Sequence, residues 1–230
     1  MTTDLTNLVQ GGVLKAAINT GNRALVQQEG DTLHGISPAL ARRLALKLGA
    51  RLECIVYDGA GKVFGDAHKG VWDVAFLAID PKRAEKVTFT RAYITIEATF
   101  AVRAGAAHQN VADVDAPGID ILTAQGSAYD LHMTKTLQHA ALHRSGTPPM
   151  SFEAFRHGTW DAVAGVRASL QQAFGDDPDY RILPGVLTKV EQAMVLPACD
   201  HPLQSALDAF VAQALNDGFV ASVLAGNTGG

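Results

Sequence analysis

Lys69-Gly70-Val71-Trp72-Asp73-Val74-Ala75-Phe76-Leu77-Ala78-Ile79-Asp80-Pro81-Lys82-Arg83 is the stretch on which the fold turns. Gly70 leads into a strand over Trp72–Ile79, and a short helix, roughly Lys62–Lys69, precedes it. Upstream, Arg51–Asp58 alternates and carries Ile55 and Val56, a strand. Before it lies a helix with Ser37 as N-cap, Pro38 at its first position, Leu40, Leu44 and Leu48 four apart, and Gly49 as its stop. Val13–Asn19 is the first strand, followed by a polar loop from Thr20 to Gly35. The order β-α-β-α-β predicts parallel strands joined by crossover helices.

Downstream, Val87–Thr90 and Tyr93–Val102 are β-rich, and after a loop rich in Asp and Gly the rhythm restarts. Ile119–Ala124 is a strand, Gly126 a turn, and Ser127 to about His139 a helix with Ser127 and Asp130 as a capping pair. A short strand near Leu142, a helix near Met150–Arg156 and a strand over Asp161–Val166 follow. Leu187–Pro197 is a return strand. Two terminal helices close the chain: Pro202 opens the first, with Leu203, Leu207, Phe210, Val211 and Leu215 on one face, and Asp217-Gly218 separates the second. Two similar α/β halves joined by long β segments predict two lobes, two crossings and a cleft between them.

The chain has 230 residues, 47% of them apolar and 18% charged, with a net charge of -4. That suits one large domain or two small lobes and argues against disorder. Without a block of Lys or Arg, phosphate-backbone binding is excluded as the default. No apolar run approaches the roughly 18 residues of a membrane span. The start, Met1-Thr2-Thr3-Asp4-Leu5, lacks the pattern of a secretory leader, so the expected location is periplasmic if a leader was removed and cytoplasmic otherwise. Cys54 and Cys199 are expected to be buried free thiols. His139 and His143 have no further ligand, neither HExxH nor CxxC occurs, and Gly59–Gly65 lacks phosphate-loop spacing. Neither a metal nor a cofactor is expected.

Five stretches together resemble the type II solute-binding proteins of ABC importers, particularly their amino-acid-binding family. They are Gly35–Gly49; Lys69–Ala75, with its Trp-Asp strand entry; Asp80–Tyr93; Gln125-Gly126-Ser127; and Gly158-Thr159-Trp160-Asp161-Ala162. The resemblance implies a two-lobed Venus-flytrap α/β fold with two hinge crossings, lobe one being residues 1–98 plus 191–230 and lobe two 99–190. It implies a monomer that holds a small-molecule ligand, an amino acid or carboxylate, and serves an ABC transporter permease, with no nucleic acid and no membrane insertion.

By the same resemblance Arg83 makes a bidentate contact to the ligand carboxylate, a task that suits a planar guanidinium. Its competing reading is a solvated helix arginine, and Lys82 competes for the alignment. Family serines that assist this arginine are replaced by Ala75, Phe76, Leu77 and Ala78. Ser127, with the N–H groups of Ser127 and Ala128 at a helix start, can face an anion or serve as a plain cap. Tyr129 and Phe76 are cleft walls or core. Asn19, Thr20 and Asn22 are polar contacts or a turn. Amino-acid binders carry a carboxylate just past the strand Asp161–Val166; here Arg167 stands there, either offering a second positive charge that suits a dicarboxylate or lying exposed in the next helix. Glu97 and Glu191 flank the crossings; Glu97 is a candidate for the missing negative charge, and Gln192 for a cross-cleft hydrogen bond. Arg83→Ala is expected to abolish ligand binding with little change in the apo melting temperature.

Three functions follow. The first is solute capture for import. The second is an enzyme like the cyclohexadienyl dehydratases, which resemble these binding proteins but need a lobe-two acid where this chain has Gly165-Val166-Arg167. The third is a cytoplasmic ligand sensor.

Overall fold

In the computed structural model, which describes residues 4–9 and 11–226, most of the chain is built around one twisted mixed sheet. Met1, Thr2 and Thr3, part of the chain start read above, lie outside the described residues. Strand β1 (Val13–Asn19) pairs in parallel with β4 (Arg51–Tyr57) on one side and with β5 (Val74–Ala78) on the other. Between β1 and β4, the loop read as irregular contains a hairpin of β2 (Gln27–Glu29) and β3 (Thr32–His34), strands too short and polar to announce themselves.

Helix α1 (Ile36–Lys47) starts two residues earlier than expected. Its N-cap is Gly35, not Ser37, which is buried with its Oγ 3.2 Å from Tyr93 Oη. Helix α2 is Ala60–Gly65 and α3 the single turn Pro81–Ala84, capped by Asp80 accepting from Lys82 N and Arg83 N. The two β-rich runs expected after it are one strand, β6 (Thr88–Arg103). Then come β7 (Asp120–Ala124), α4 (Ala128–Thr136), β8 (Ala141–Ser145), α5 (Pro148–His157), β9 (Ala162–Val166) and α6 (Arg167–Phe174). A short β10 (Tyr180–Ile182) and the return strand β11 (Thr188–Leu196) lead to α7 (Gln204–Asn216) and α8 (Phe219–Gly226). Pro202 does not open α7; it sits in the preceding turn.

The sheet order is β4-β1-β5-β11-β6-β9-β7-β8, with β10 also on β6. Strand β6 runs through both halves: its first part pairs with β11 from Thr88 to Ala98 and its last part with β9 from Ala98 to Val102. Each half is layered by period-two alternation. On β5, Val74, Phe76 and Ala78 pack on the side of α1 and α7 with Leu40, Leu44, Leu207 and Phe210, whereas Ala75 and Leu77 face the other way towards Val63 and Trp72. In the second half, Val163 and Leu122 meet Phe152, Phe155, Leu170 and Phe174 of α5 and α6.

Both cysteines are free as read, but neither is fully buried: Cys54 is half-buried, and Cys199 is exposed because it falls in the turn after β11. Among the described residues no single helix is long and apolar enough to cross a membrane; α7 and α8 pass only as a pair bent by 61°, and α7 buries Leu207, Phe210, Val211 and Ala214.

Candidate ligand-binding site

The parallel strands of both halves send their carboxyl ends to the same crevice, where open α/β sheets present ligand-binding loops. Asn19 ends β1, Phe76 to Ala78 end β5, Ala124 ends β7 and Val166 ends β9. These ends enclose a cavity of about 50 Å³. By that measure a water takes about 10–15 Å³, so there is room for roughly three to five water-sized groups.

Arg83 is the one charged side chain lining the cavity among the described residues. It is 1% exposed. Nη1 donates to Ala78 O at 3.0 Å and Nη2 to Gly126 O at 2.7 Å. No carboxylate is hydrogen-bonded to the guanidinium. Burial pulls its pKa down to about 10, with the nearby charge of Asp80 opposing the shift. Asp80 lies outside the cavity lining and is engaged by Lys82 N, Arg83 N and, at 3.3 Å, Lys135 Nζ.

The helix starts add to this positive field. Ser37 of α1, Ala128 of α4, Pro148 of α5 and Ser169 of α6 all lie in the first turns of their helices and all line the cavity. Each aligned helix carries roughly half a positive charge at its N-terminus. Ser127 Oγ caps α4 by accepting from Asp130 N at 3.1 Å, and Ser127 lines the cavity as well, so both roles expected of it coexist. Asp130 itself is turned away, accepting from Gly126 N and from Arg144.

Two buried polar atoms in the lining lack a hydrogen-bond partner of good geometry: Asn22 Oδ1 and Tyr129 Oη. Burial drives the Tyr129 hydroxyl's pKa upward, Ser127 offsetting it in part, so it stays protonated and can donate. Asn19 Oδ1 accepts from Gly21 N, and Ser169 Oγ from Arg23 N across the crevice.

The halves also touch through glycines. Gly126 has φ 71°, a left-handed conformation that favours glycine, and a Cβ there would lie 3.1 Å from Gly61 Cα. A Cβ on Gly61 would lie 2.9 Å from Gln125 O.

Of the residues singled out in the sequence, Arg83, Ser127, Ala128, Tyr129, Asn19, Asn22, Phe76 and Gln192 come together around this cavity. Thr20 does not; its hydroxyl donates to Tyr57 O. Arg167 and Glu97 are also elsewhere, in a separate shallow depression with Ala24 and Gln171. Arg167 Nε donates to Glu97 Oε2 at 3.3 Å, and its Nη atoms reach Leu183 O and Gly185 O. The two charges neutralise each other, so neither the second positive charge nor the compensating negative one reaches the cavity. Glu191 is exposed on β11. Sequence reading missed Ser37 and Ser169. Ser169 was findable, since the third position of a helix entered directly from a buried strand faces the strand ends.

No curated protein matches the chain by sequence. Solved structures share its fold. The arginine-binding protein ArgBP of T. maritima, as a P235GK mutant, superposes with TM-score 0.79 at 18% identity, covering 93% of both chains. A putative ABC-transporter binding component from Wolinella succinogenes, complexed with lysine, gives 0.79 at 18% identity over 93% of this chain and 94% of that one. AbpA from Streptococcus pneumoniae, bound to L-arginine, gives 0.79 at 20% identity over 93% of both. These are two-lobed periplasmic binding proteins in fold. The family model of the bacterial extracellular solute-binding proteins, family 3, matches residues 14–226, and the chain belongs to that family.

Proposed function

We propose that the chain captures a small carboxylate-bearing metabolite, an amino acid or carboxylate, in the crevice and delivers it to an ABC-type importer. The observation that carries this reading is Arg83: a guanidinium buried at the strand ends with no carboxylate hydrogen-bonded to it. A buried charge is costly unless paired, and an anionic ligand supplies the missing partner. Fold relatives with bound arginine or lysine are consistent with that ligand class. In this reading residues 1–98 and 191–230 form one lobe and 99–190 the other, and they close by hinge motion. The family's extracellular character supports work on the outer side of the membrane, in the periplasm, with a permease as partner.

Enzymatic turnover has no support from the site. No acidic side chain lines the cavity among the described residues, and Glu97, the one candidate acid, is tied to Arg167 outside it. Nothing observed favours a sensor.

Native mass spectrometry of freshly purified protein, followed by thermal shift with the recovered ligand, tests the reading. A carboxylate-bearing ligand should be retained and should raise the melting temperature by mass action. In Arg83→Ala that rise should disappear. A retained ligand without an acidic group, or one that binds Arg83→Ala as tightly as the wild type, overturns the proposal.

A further inference from the structure

We infer that the crevice selects a small monocarboxylate whose second polar group is uncharged, such as a 2-hydroxy acid, over the zwitterionic amino acid of the same carbon skeleton. This rests on the carboxylate reading above and narrows it.

The argument is electrostatic. Arg83 balances one negative charge, and the four helix starts around it extend the positive field. A monocarboxylate entering this space leaves the cavity close to neutral. An amino acid brings a second, positive charge. Taken out of water, an ammonium needs a carboxylate or a full set of strong acceptors. The lining offers none of the former. Acids outside the lining are engaged elsewhere: Asp80 on the α3 cap and Lys135, Asp130 on Gly126 N and Arg144, and Asp58 on Lys62. Glu97 is paired with Arg167.

What the lining does offer is a matched neutral pair. Asn22 Oδ1 is an acceptor without a donor, and the Tyr129 hydroxyl is buried with no partner of good geometry. Tyr129 is 4% exposed. A hydroxyl carries both a proton that Asn22 Oδ1 can accept and a lone pair that the Tyr129 hydroxyl can donate to. An ammonium can donate to Asn22 but cannot accept from Tyr129 Oη, which must then turn its own proton away. Ser169 Oγ is already accepting from Arg23 N. Leu25, Phe76, Pro148, Val166 and Val190 supply apolar wall, Gln125 and Gln192 add uncharged polar groups, and the volume suits a short skeleton.

Isothermal titration of the full chain at pH 7 with matched pairs tests this: L-lactate against L-alanine, 2-hydroxyisovalerate against L-valine, and 3-phenyllactate against L-phenylalanine. The hydroxy acid should bind at least about tenfold more tightly in the skeleton that fits best, the cost of one unsatisfied buried polar group. Asn22→Asp, which adds an anion to the cavity lining, should reverse the preference. If an amino acid binds as tightly as its hydroxy partner, and Arg83→Ala abolishes that binding, this inference falls while the carboxylate reading stands. If no member of any pair binds the wild type, this inference falls, and the carboxylate reading is decided by the acidity of the ligand retained in native mass spectrometry. Should Asn22→Asp fail to fold, the wild-type ratios alone decide.

Discussion

Arg83 Nη2 donates to Gly126 O across the crevice at 2.7 Å, so the side chain proposed to meet a ligand carboxylate also ties one half of the sheet to the other. Gly126 directly precedes Ser127, the cap of α4, and its N–H is held by Asp130. A change in how the guanidinium divides its hydrogen bonds between carbonyls and a bound anion is therefore felt at the α4 start.

The first expectation follows from that double role. Sequence alone suggests that Arg83→Ala leaves the apo protein as stable as before. Its burial and its bonds to Ala78 O and Gly126 O say otherwise. Losing charge-assisted bonds to two buried carbonyls, partly offset by removal of a buried cation, should lower the apo melting temperature by about 2–6 °C. Arg83→Lys should recover part of the stability and little of the ligand affinity, since a lysine lacks the planar fork. Differential scanning calorimetry and titration, run on both variants, separate the two effects.

Gly61→Ala should do the reverse. Gly61 lies within α2, where alanine is favoured over glycine by about 1 kcal/mol, so folding should be unharmed. The new Cβ would stand 2.9 Å from Gln125 O, and the halves must part to admit it. Ligand affinity is expected to fall about tenfold, the helix gain and the strain on the Arg83–Gly126 bond should leave the melting temperature within about 2 °C of wild type, and small-angle scattering should report a slightly larger apo radius.

Arg167→Ala offers a control outside the cavity. Because Arg167 spends its guanidinium on Glu97, Leu183 O and Gly185 O, ligand affinity should stay within about threefold of wild type while thermal stability drops. A loss of a hundredfold in affinity would place Arg167 in contact with ligand after all.

The pH dependence of stability should show the Arg91–Asp208 pair, which links β6 to α7. Asp208 accepts from Arg91 N at 2.6 Å and from its guanidinium at 2.7 Å, and these bonds hold its carboxyl below the ordinary carboxylate range. A carboxyl depressed in the folded state contributes stability above its unfolded pKa, near 4, and loses it as pH falls through the folded value. Asp208→Asn should therefore lower the melting temperature by about 1–3 °C at pH 7, a difference that closes as pH falls below the ordinary carboxylate range.

Much of the fold was legible because its signals are periodic and local. The apolar runs of β1, β5, β7 and β9, the leucines of α1 and the Ser127–Asp130 cap can each be read from neighbours in sequence. The hairpin of β2 and β3 and the edge strand β10 could not be read, since three residues carry no usable period. At the site, Arg83, Ser127 and Asn22 were visible as residue types suited to an anion or a polar group. The destination of Arg167 was not. Adjacency to the end of β9 places its Cα near the crevice, but its side chain is captured by Glu97, 70 positions earlier, and by carbonyls after β10. Such long-range partnerships leave no trace in spacing. Ser37 shows the same limit: its type and position suggested a cap, yet Tyr93 on a distant strand claims its hydroxyl.

The unbroken run of β6 has a thermodynamic consequence. Residues 88–98 hold the register of β11 and residues 98–102 that of β9, so Ala98 belongs to both ladders at once. Melting either body would strip partners from a strand the other depends on, which couples them far more tightly than a flexible tether would. Calorimetry should accordingly record a single endotherm, with the van't Hoff and calorimetric enthalpies equal, even though the proposed function asks the molecule to work as two jaws.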